Sequence, residues 1–248
     1  MPSVRVHADP AKAAVAVAGI IADLIRRGRP DGRKVVLGLA TGSTPLPLYR
    51  ELIRLHRQEG LSFSNVLTFN LDEYEGLAPD HPQSYRRYMD ENLFSQIDLP
   101  REQTHVPDGT SDDSEAVCRA FERAISDAGG IDLQVLGLGR TGHIGFNEPP
   151  SPRESRTRRV VLDEMTRKDN SVFFGDLAAV PRAALTMGVS TILAARRIEL
   201  LAFGAGKADI VRRSLSERPG PGCPATWLQE HPACTFHLDA ASAAQSAS

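Results

Sequence analysis

A histidine and a glutamate lie in one loop whose composition suits acid–base chemistry. Residues 132–150 read DLQVLGLGRTGHIGFNEPP, in which a short apolar run typical of a buried strand ends at two glycines and is followed by His143, Asn147 and Glu148. Glycine and proline at this density exclude a helix, so these polar side chains belong to an irregular loop. An imidazole near a carboxylate at a strand end is suited to general acid–base catalysis.

This loop has two other interpretations, both less favoured by its residues. Gly137, Gly139 and Gly142 spell G-x-G-x-x-G, a dinucleotide-binding pattern. That pattern needs a helix beginning at its third glycine, and Gly145 and Pro149 exclude one. The other interpretation is a structural turn that contains an incidental histidine. The residue types favour acid–base work over both.

Hydroxyl groups and a glycine follow the apolar strand predicted at 35–39. Thr41, Gly42, Ser43 and Thr44 precede Pro45 and a helical segment, so free backbone N–H groups and three hydroxyls meet where the helix dipole favours an anion. The segment lacks the G-K-[ST] of a Walker loop. We predict a phosphate site here, although serine and threonine are also common helix caps.

Charged residues follow two further predicted strands. Asp72 and Glu73 come directly after the strand 66–71, where burial makes an ionised carboxylate costly unless the site uses it. Either carboxylate could act as a base, and the alternative is a surface acidic pair at the start of a loop. Lys207, in the GAGK that follows the strand 199–203, could meet a phosphate as a point charge or simply begin a helix.

Strands and helices alternate along most of the chain, which predicts an α/β fold with an open, mostly parallel, doubly wound sheet and helices on both faces. The carboxyl ends of parallel strands share one edge, where ligands bind, so we expect the four segments to form one cleft. We predict one domain over 1–248, an exposed link at about 100–113 and a frayed tail at 240–248. Residues 150–182 are predicted to be a mobile lid or an ordinary helix and loop.

Charge and cysteine content exclude several classes of function. With 29 basic and 31 acidic residues, the chain lacks the electrostatic signature of nucleic-acid binding. Its three cysteines have no metal-ligand spacing, and their odd number indicates a reducing compartment. The most apolar stretch, 13–25, contains Asp23 and is too short to span a bilayer. We therefore expect a cytoplasmic protein with no metal site and no nucleic-acid or membrane partner.

Five motifs resemble one enzyme family. LGLATGSTPLPLY, FNLDEYEGL, LGLGRTGHIGFNEP, ALTMGV and GAGK are similar to segments of the glucosamine-6-phosphate deaminase (isomerase) family, which shares a modified Rossmann-like fold with the 6-phosphogluconolactonases. The likeness runs from about residue 35 to 239. It implies that Asp72 is the base that moves a proton between C2 and C1, and that His143 opens the sugar ring while Glu148 orients it. The implied substrate or phosphate contacts are Thr41, Gly42, Ser43, Thr44, Glu73, Tyr85, Gly142 and Lys207.

The resemblance implies a reaction as well as a site. Glucosamine 6-phosphate would be converted to fructose 6-phosphate and ammonia, with a small-molecule sugar phosphate as the partner and without a metal or organic cofactor. Two alternatives are a 6-phosphogluconolactonase-like hydrolase of sugar-lactone phosphates and a non-catalytic sugar-phosphate sensor. The chain is also a candidate homo-oligomer.

Four positions depart from the family pattern. Thr141 stands where better-known deaminases carry an aspartate of the catalytic group, and Val172 stands where an arginine often clamps the phosphate from the lid. Candidates to replace that clamp are Arg158, Arg167 and Lys168. Pro152 and Val160 replace a serine and a lysine of an allosteric site, which argues against activation by N-acetylglucosamine 6-phosphate. These changes leave room for another amino-sugar phosphate, such as galactosamine 6-phosphate.

Overall fold

Strands and helices alternate through the structure, a computed structural model that describes residues 1–245. The strands are β1 (Ser3–His7), β2 (Val35–Leu39), β3 (Val66–Asn70), β4 (Asp72–Tyr74), β5 (Thr104–His105), β6 (Leu133–Gly137), β7 (Arg158–Val161), β8 (Ala183–Thr186), β9 (Ile198–Ala202) and β10 (Cys234–Asp239). The helices are α1 (Pro10–Arg27), α2 (Leu46–Glu59), α3 (Tyr85–Asn92), α4 (Ser114–Asp127), α5 (Glu164–Phe174), α6 (Val189–Leu193) and α7 (Ala208–Ser216).

Seven strands form one parallel sheet in the order β1-β10-β9-β6-β2-β3-β5. From β2 the chain moves outward to β3 and β5, and β6 then returns to the other side of β2. This reversal opens a crevice at the carboxyl ends of β2 and β6, the usual ligand position in such sheets.

Apolar layers cover both faces of this sheet. On one face α1, α2 and α3 pack Val17, Leu52 and Met89 against the strands, and all three side chains are fully buried. On the other face α4 and α7 contribute Phe121 and Val211. Burial on both faces explains why the strands read as continuous apolar runs rather than as alternating ones. The predicted α/β fold class, with a mostly parallel sheet and helices on both faces, is confirmed.

A second, antiparallel sheet has the order β4-β8-β7. The sequence predicted that the strand at 66–71 would run straight into Asp72, but β3 ends at Asn70 and β4 belongs to the second sheet. Leu71 joins the two sheets: its N–H donates to Leu39 O at 3.0 Å, and its carbonyl accepts from Met187 N at 2.7 Å. The change of sheet turns Asp72 toward the crevice.

Besides β4, two more strands are not predicted from the sequence. β5 lies in the segment predicted to be an exposed link, and it pairs with β3 through Thr68↔Thr104 and Phe69↔His105. Two residues are too few to show a period, and Thr104 is nevertheless buried. The sequence analysis predicts no strand at 234–239, yet β10 lies there and pairs with both β1 and β9.

Part of the tail predicted to fray is anchored. Ser242 is fully buried, and its hydroxyl donates to Ala202 O at 2.8 Å. Its backbone N–H donates to Asp239 Oδ1 at 2.8 Å, so a capping interaction holds the turn after β10. The remainder of the predicted tail, residues 246–248, lies outside the described residues. Within residues 1–245, no helix combines the length and apolarity needed to cross a membrane.

Candidate active site

Most of the predicted site residues meet in one cleft at the carboxyl ends of β2, β3, β6 and β9. The cleft encloses about 340 Å³. The predicted residues that line it are Thr41, Gly42, Ser43, Thr44, Asp72, Tyr85, His143 and Lys207. Thr141 and Glu148 lie behind His143, whereas Glu73 and Gly142 are placed elsewhere. Loops far apart in sequence therefore converge as the parallel-sheet argument predicted.

The loop after β2 supplies hydroxyls and N–H groups to the cleft. Helix α2 begins without any side-chain cap, so the hydroxyls of Thr41, Ser43 and Thr44 are not used to cap it. Gly42 has a φ of +91°, and its carbonyl accepts a hydrogen bond from Tyr88 Oη at 2.6 Å. The loop is thus held from α3 while its hydroxyl-rich face borders the cleft, which favours the anion-binding interpretation over simple capping.

Lys207 enters the cleft from the opposite side. Its Nζ donates to Leu138 O at 2.6 Å, which links the loop after β9 to the loop after β6. Burial lowers the pKa of Lys207, and the neighbouring charge of Arg140 lowers it further. An ammonium that has lost part of its water shell interacts strongly with an incoming anion.

His143 and Glu148 form a close pair. Nδ1 of His143 lies 2.8 Å from Glu148 Oε1 and 3.0 Å from Thr141 Oγ1. Thr141 donates to Glu148 Oε2 at 2.6 Å, and Thr166 donates to Oε1. Burial by itself would raise the pKa of Glu148, but the bonds from His143, Thr141 and Thr166 outweigh it and lower the pKa to about 2.

The ionised Glu148 sets the orientation of the imidazole. A carboxylate is an acceptor without a proton to donate, so Nδ1 of His143 must carry the proton that it shares with Glu148. Nε2 is then left with the free lone pair that a base needs. Thr141, at a position where the resemblance leads one to expect an aspartate, bridges both partners through its hydroxyl.

Asp72 is buried and unpaired. Its exposed fraction is 6 %, and its side chain makes no hydrogen bond to any residue in the range 1–245. Burial raises the pKa of Asp72 to about 8, with a further contribution from the charge of Glu73. A Cβ added at Gly145 would lie 3.4 Å from Asp72 Oδ2, so the loop that carries His143 passes directly against this carboxyl group.

Glu73 serves the scaffold rather than the cleft, in contrast to its predicted role as a substrate contact or alternative base. Its carboxylate accepts hydrogen bonds from the N–H groups of Tyr74, Tyr85 and Arg86 and from Ser84 Oγ, at 2.7 to 2.9 Å. Consecutive side chains on a strand point to opposite faces, so Asp72 faces the cleft and Glu73 faces the start of α3. This anchor positions Tyr85 at the cleft wall.

We expect Glu73→Ala to lower the free energy of unfolding by about 1–3 kcal/mol, because buried N–H groups at the start of α3 would lose their acceptor. Urea denaturation measures this change. The matched control is Glu75→Ala, which removes a partly exposed ion pair with Arg159 and should cost less than about 1 kcal/mol. Equal losses in the two variants would contradict the anchoring role.

Gly142 shapes the histidine loop and does not line the cleft as predicted. Its φ is +83°, and a Cβ added there would lie 2.4 Å from Cys223 Sγ. Its carbonyl accepts from Ala225 N at 2.8 Å, and its N–H donates to Gly139 O at 3.1 Å. A glycine is required here by both the backbone conformation and the close approach.

Helix α5 forms one wall of the cleft through side chains that the sequence analysis did not single out, namely Thr166, Asp169, Asn170 and Phe173. The helix lies within the segment predicted to be a lid, and its mobility stays a prediction. Val172 is 77 % exposed and lies outside the cleft.

The three candidates to replace a lid arginine have other partners. Arg158 donates to Asn147 Oδ1 at 2.8 Å, Arg167 donates to two backbone carbonyls, and Lys168 pairs with Glu164 at 2.8 Å. None of the three is among the residues that line the cleft. Arg140, which follows β6 and was not singled out, does line it.

The sequence that forms this site matches one known protein family. The profile of the family described as glucosamine-6-phosphate isomerases/6-phosphogluconolactonase matches residues 8–236. The chain belongs to this family.

Two curated family members are similar over most of their length. Glucosamine-6-phosphate deaminase 1 of Giardia intestinalis is 48% identical over 242 residues, which cover 96% of this chain and 88% of that protein. Glucosamine-6-phosphate deaminase of Geobacillus sp. (strain WCH70) is 52% identical over 211 residues, which cover 85% and 83%.

Solved structures of the family divide into two levels of similarity. A monomeric glucosamine-6-phosphate deaminase is 44% identical, with a TM-score of 0.94 and coverage of 98% of this chain and 99% of that chain. The 6-phosphogluconolactonase from Trypanosoma brucei is 23% identical, with a TM-score of 0.78 and coverage of 98% of both chains. The second match shows a shared fold alone.

The described part of the chain contains no cluster of metal-binding side chains. Among residues 1–245, no group of three or more His, Cys, Asp or Glu side chains is arranged to hold a metal ion. The polar side chains that line the cleft carry hydroxyls, an amide, two carboxyl groups, an imidazole and two cationic groups. This set is suited to proton transfer on an anionic organic substrate.

Proposed function

We propose that the protein is an amino-sugar phosphate isomerase and deaminase that converts glucosamine 6-phosphate to fructose 6-phosphate and ammonia. The observation that carries the proposal is that an unpaired, buried Asp72 and the His143–Glu148 pair border the same cleft as the hydroxyl-rich loop and Lys207. The names of relatives at 44% to 52% identity support the deaminase over the lactonase alternative. The paired His143 argues against a sensor that has lost its acid–base groups.

The first steps open and isomerise the sugar. Nε2 of His143 takes the proton from the C1 hydroxyl and returns a proton to the ring oxygen, which breaks the C1–O5 bond and leaves an open-chain aldehyde. Asp72 then removes the proton from C2 while a proton passes from the substrate ammonium to O1, which gives a neutral enolamine. Asp72 returns its proton to C1, which leaves a protonated imine at C2. Each such acid or base contributes on the order of 10²–10⁴ in rate.

The last step releases nitrogen. Water adds to the imine carbon, and cleavage of the C–N bond gives the C2 ketone of fructose 6-phosphate and ammonia. The sequence of steps consumes one water and requires no metal or organic cofactor. The proton transfers take place at C1 and C2. The phosphate at C6 takes no part in them, and the proposal assigns its binding to Thr41–Thr44 and Lys207.

Ammonia release tests the proposal. Purified protein with glucosamine 6-phosphate should produce equal amounts of ammonia and fructose 6-phosphate, each measured by a coupled assay. Parallel assays with galactosamine and mannosamine 6-phosphates determine which epimer is preferred. Release of acid from 6-phosphogluconolactone without ammonia from any amino sugar would favour the lactonase, and tight binding without turnover would favour the sensor.

The pKa of Asp72 predicts a pH dependence. Because burial holds this pKa at about 8, the carboxyl group is mostly protonated at neutral pH and must lose its proton to act as a base. We therefore expect kcat/KM, which reports the free enzyme, to rise about tenfold per pH unit up to about pH 8 and then to level off. The substrate ammonium should lower this pKa in the complex, so kcat should vary less with pH. A flat kcat/KM between about pH 6 and 8 would contradict the assignment of the base.

We also propose that the protein works in the cytoplasm and acts on a small sugar phosphate. All three cysteines are buried and free, as expected of a reducing compartment. A homo-oligomer stays a prediction, and the deaminase of known structure cited above is monomeric. Size-exclusion chromatography with light scattering would distinguish a monomer from an oligomer.

A further inference from the structure

Three charged side chains share one end of the cleft. Arg140 and Lys207 line it from the loops after β6 and β9, and Asp169 lines it from α5. Arg140 and Asp169 both act electrostatically on Lys207, so the three groups are close neighbours. Lys207 belongs to the proposed phosphate site, but the two other charges have no role in the reaction steps above.

Arg140 and Asp169 form an ion pair that leaves most of the guanidinium available. Nη2 of Arg140 lies 3.1 Å from Asp169 Oδ1, and their side chains are 67% and 42% exposed. No other hydrogen bond joins the Arg140 side chain to the described residues. The planar guanidinium has five N–H donors, so the edge that does not bond Asp169 can donate to another acceptor without breaking the existing pair.

The charge of the substrate calls for a second cation. A phosphate monoester carries about −1.5 to −2 charges at neutral pH, whereas Lys207 supplies one positive charge and already donates to Leu138 O. Asp169 would repel the phosphate if its charge were not compensated. An arginine can donate in parallel to two oxygens of a phosphate, which a lysine cannot do with the same geometry.

We propose that Arg140 is a phosphate-binding residue of this site, and that Asp169 positions its guanidinium and connects α5 to the bound phosphate. The inference rests on the proposed function for the identity of the sugar phosphate. It gives the cleft a second cation from the histidine loop, while Val172 on α5 faces solvent. The residues of the loop at Thr41–Thr44 would contact the same phosphate from the other side.

Binding of inorganic phosphate, measured by isothermal titration calorimetry, tests the role of Arg140 without any turnover. We expect Arg140→Ala to weaken phosphate binding about 10- to 100-fold, because a charge-assisted, two-point contact is lost. Arg140→Lys should recover part of the loss. The matched control is Lys168→Ala, which removes one positive charge from α5 at a side chain outside the cleft and should change the affinity less than about threefold.

The partner is tested in a double-mutant cycle. Asp169→Asn alone should change phosphate affinity less than about threefold, because the loss of positioning and the loss of repulsion oppose each other. In the Arg140→Ala background the carboxylate is left unpaired beside the phosphate, so adding Asp169→Asn should recover at least about threefold in affinity. Equal effects of Asp169→Asn in both backgrounds would show that the two residues act independently and would overturn the positioning role.

Kinetics separate this inference from the proposed function. With glucosamine 6-phosphate, Arg140→Ala should raise KM far more than it lowers kcat, while unfolding temperatures stay close to those of the wild type. Ammonia production together with wild-type phosphate affinity in Arg140→Ala would overturn the inference and leave the deaminase proposal intact. Weakened phosphate binding without ammonia from any amino sugar would contradict the deaminase and retain Arg140 as an anion-binding residue.

Discussion

Asp72→Asn should lower kcat for ammonia release about 10²- to 10⁴-fold, the usual contribution of a general base. The amide keeps the shape of the carboxyl group but cannot take the proton from C2. Exchange of the C2 proton with deuterium in heavy water, followed by nuclear magnetic resonance, measures this step directly. Binding of inorganic phosphate should be unchanged, because Asp72 lies at the part of the cleft near Gly145 and not in the phosphate loop. Wild-type turnover in this variant would refute Asp72 as the base.

The same substitution is expected to stabilise the folded protein. The pKa of Asp72 is raised from 3.8 to about 8, so between these values the folded state keeps a proton that the unfolded state has lost. The contribution of Asp72 to stability is therefore most favourable below about pH 3.8 and decreases as the pH rises to about 8. Asp72→Asn removes this slope, and its midpoint of unfolding should exceed that of the wild type at pH 8. A gain in stability with a loss of activity is typical of a residue kept for function at a cost to stability.

Gly139→Ala should lower kcat/KM at least about 100-fold, because it displaces the imidazole that the mechanism uses. A Cβ at residue 139 would lie 2.0 Å from Nε2 of His143 and 2.1 Å from its Cδ2, a separation that real atoms do not tolerate. The ring would have to leave the position in which Glu148 and Thr141 hold it. Steady-state ammonia release measures the loss, and the rate of anomer interconversion of bound substrate tests whether ring opening is the affected step.

The control for Gly139→Ala is a glycine at which a methyl group has space. A Cβ added at Gly222 would meet no atom within 4 Å, and this residue lies in the segment next to Cys223, outside the cleft. Gly222→Ala should therefore retain activity within a few-fold of the wild type. Comparable losses of activity in both variants would mean that neither loop tolerates a methyl group. The loss in Gly139→Ala could then not be attributed to a specific clash with His143.

Local patterns in the sequence were sufficient for the fold class and for the loops that form the site. Apolar runs ending in glycine, hydroxyl or acidic residues located the ends of β2, β3, β6 and β9. Since carboxyl ends of parallel strands share an edge, the meeting of Thr41, Asp72, His143 and Lys207 followed from the order of elements alone. Glycine and proline density in the histidine loop also excluded a dinucleotide-binding helix, and no helix begins there.

The direction of individual side chains was decided by tertiary structure. The sequence alone does not distinguish the roles of Asp72 and Glu73. In the short strand β4, Asp72 faces the cleft and Glu73 faces the start of α3. The chain gave no local signal for β4, because its hydrogen bonds are made with β8, more than a hundred residues away.

The pairing of Arg140 with Asp169 likewise depends on contacts between distant segments. Arg140 follows a strand in a loop without a regular period, and Asp169 lies on α5, whose apolar spacing is weak. Which residues end a strand is determined by the local sequence, because short-range propensity and the burial pattern act over a few neighbouring residues. Local patterns do not determine which helix covers the cleft. They describe each element separately, whereas the position of α5 depends on how all the elements pack together.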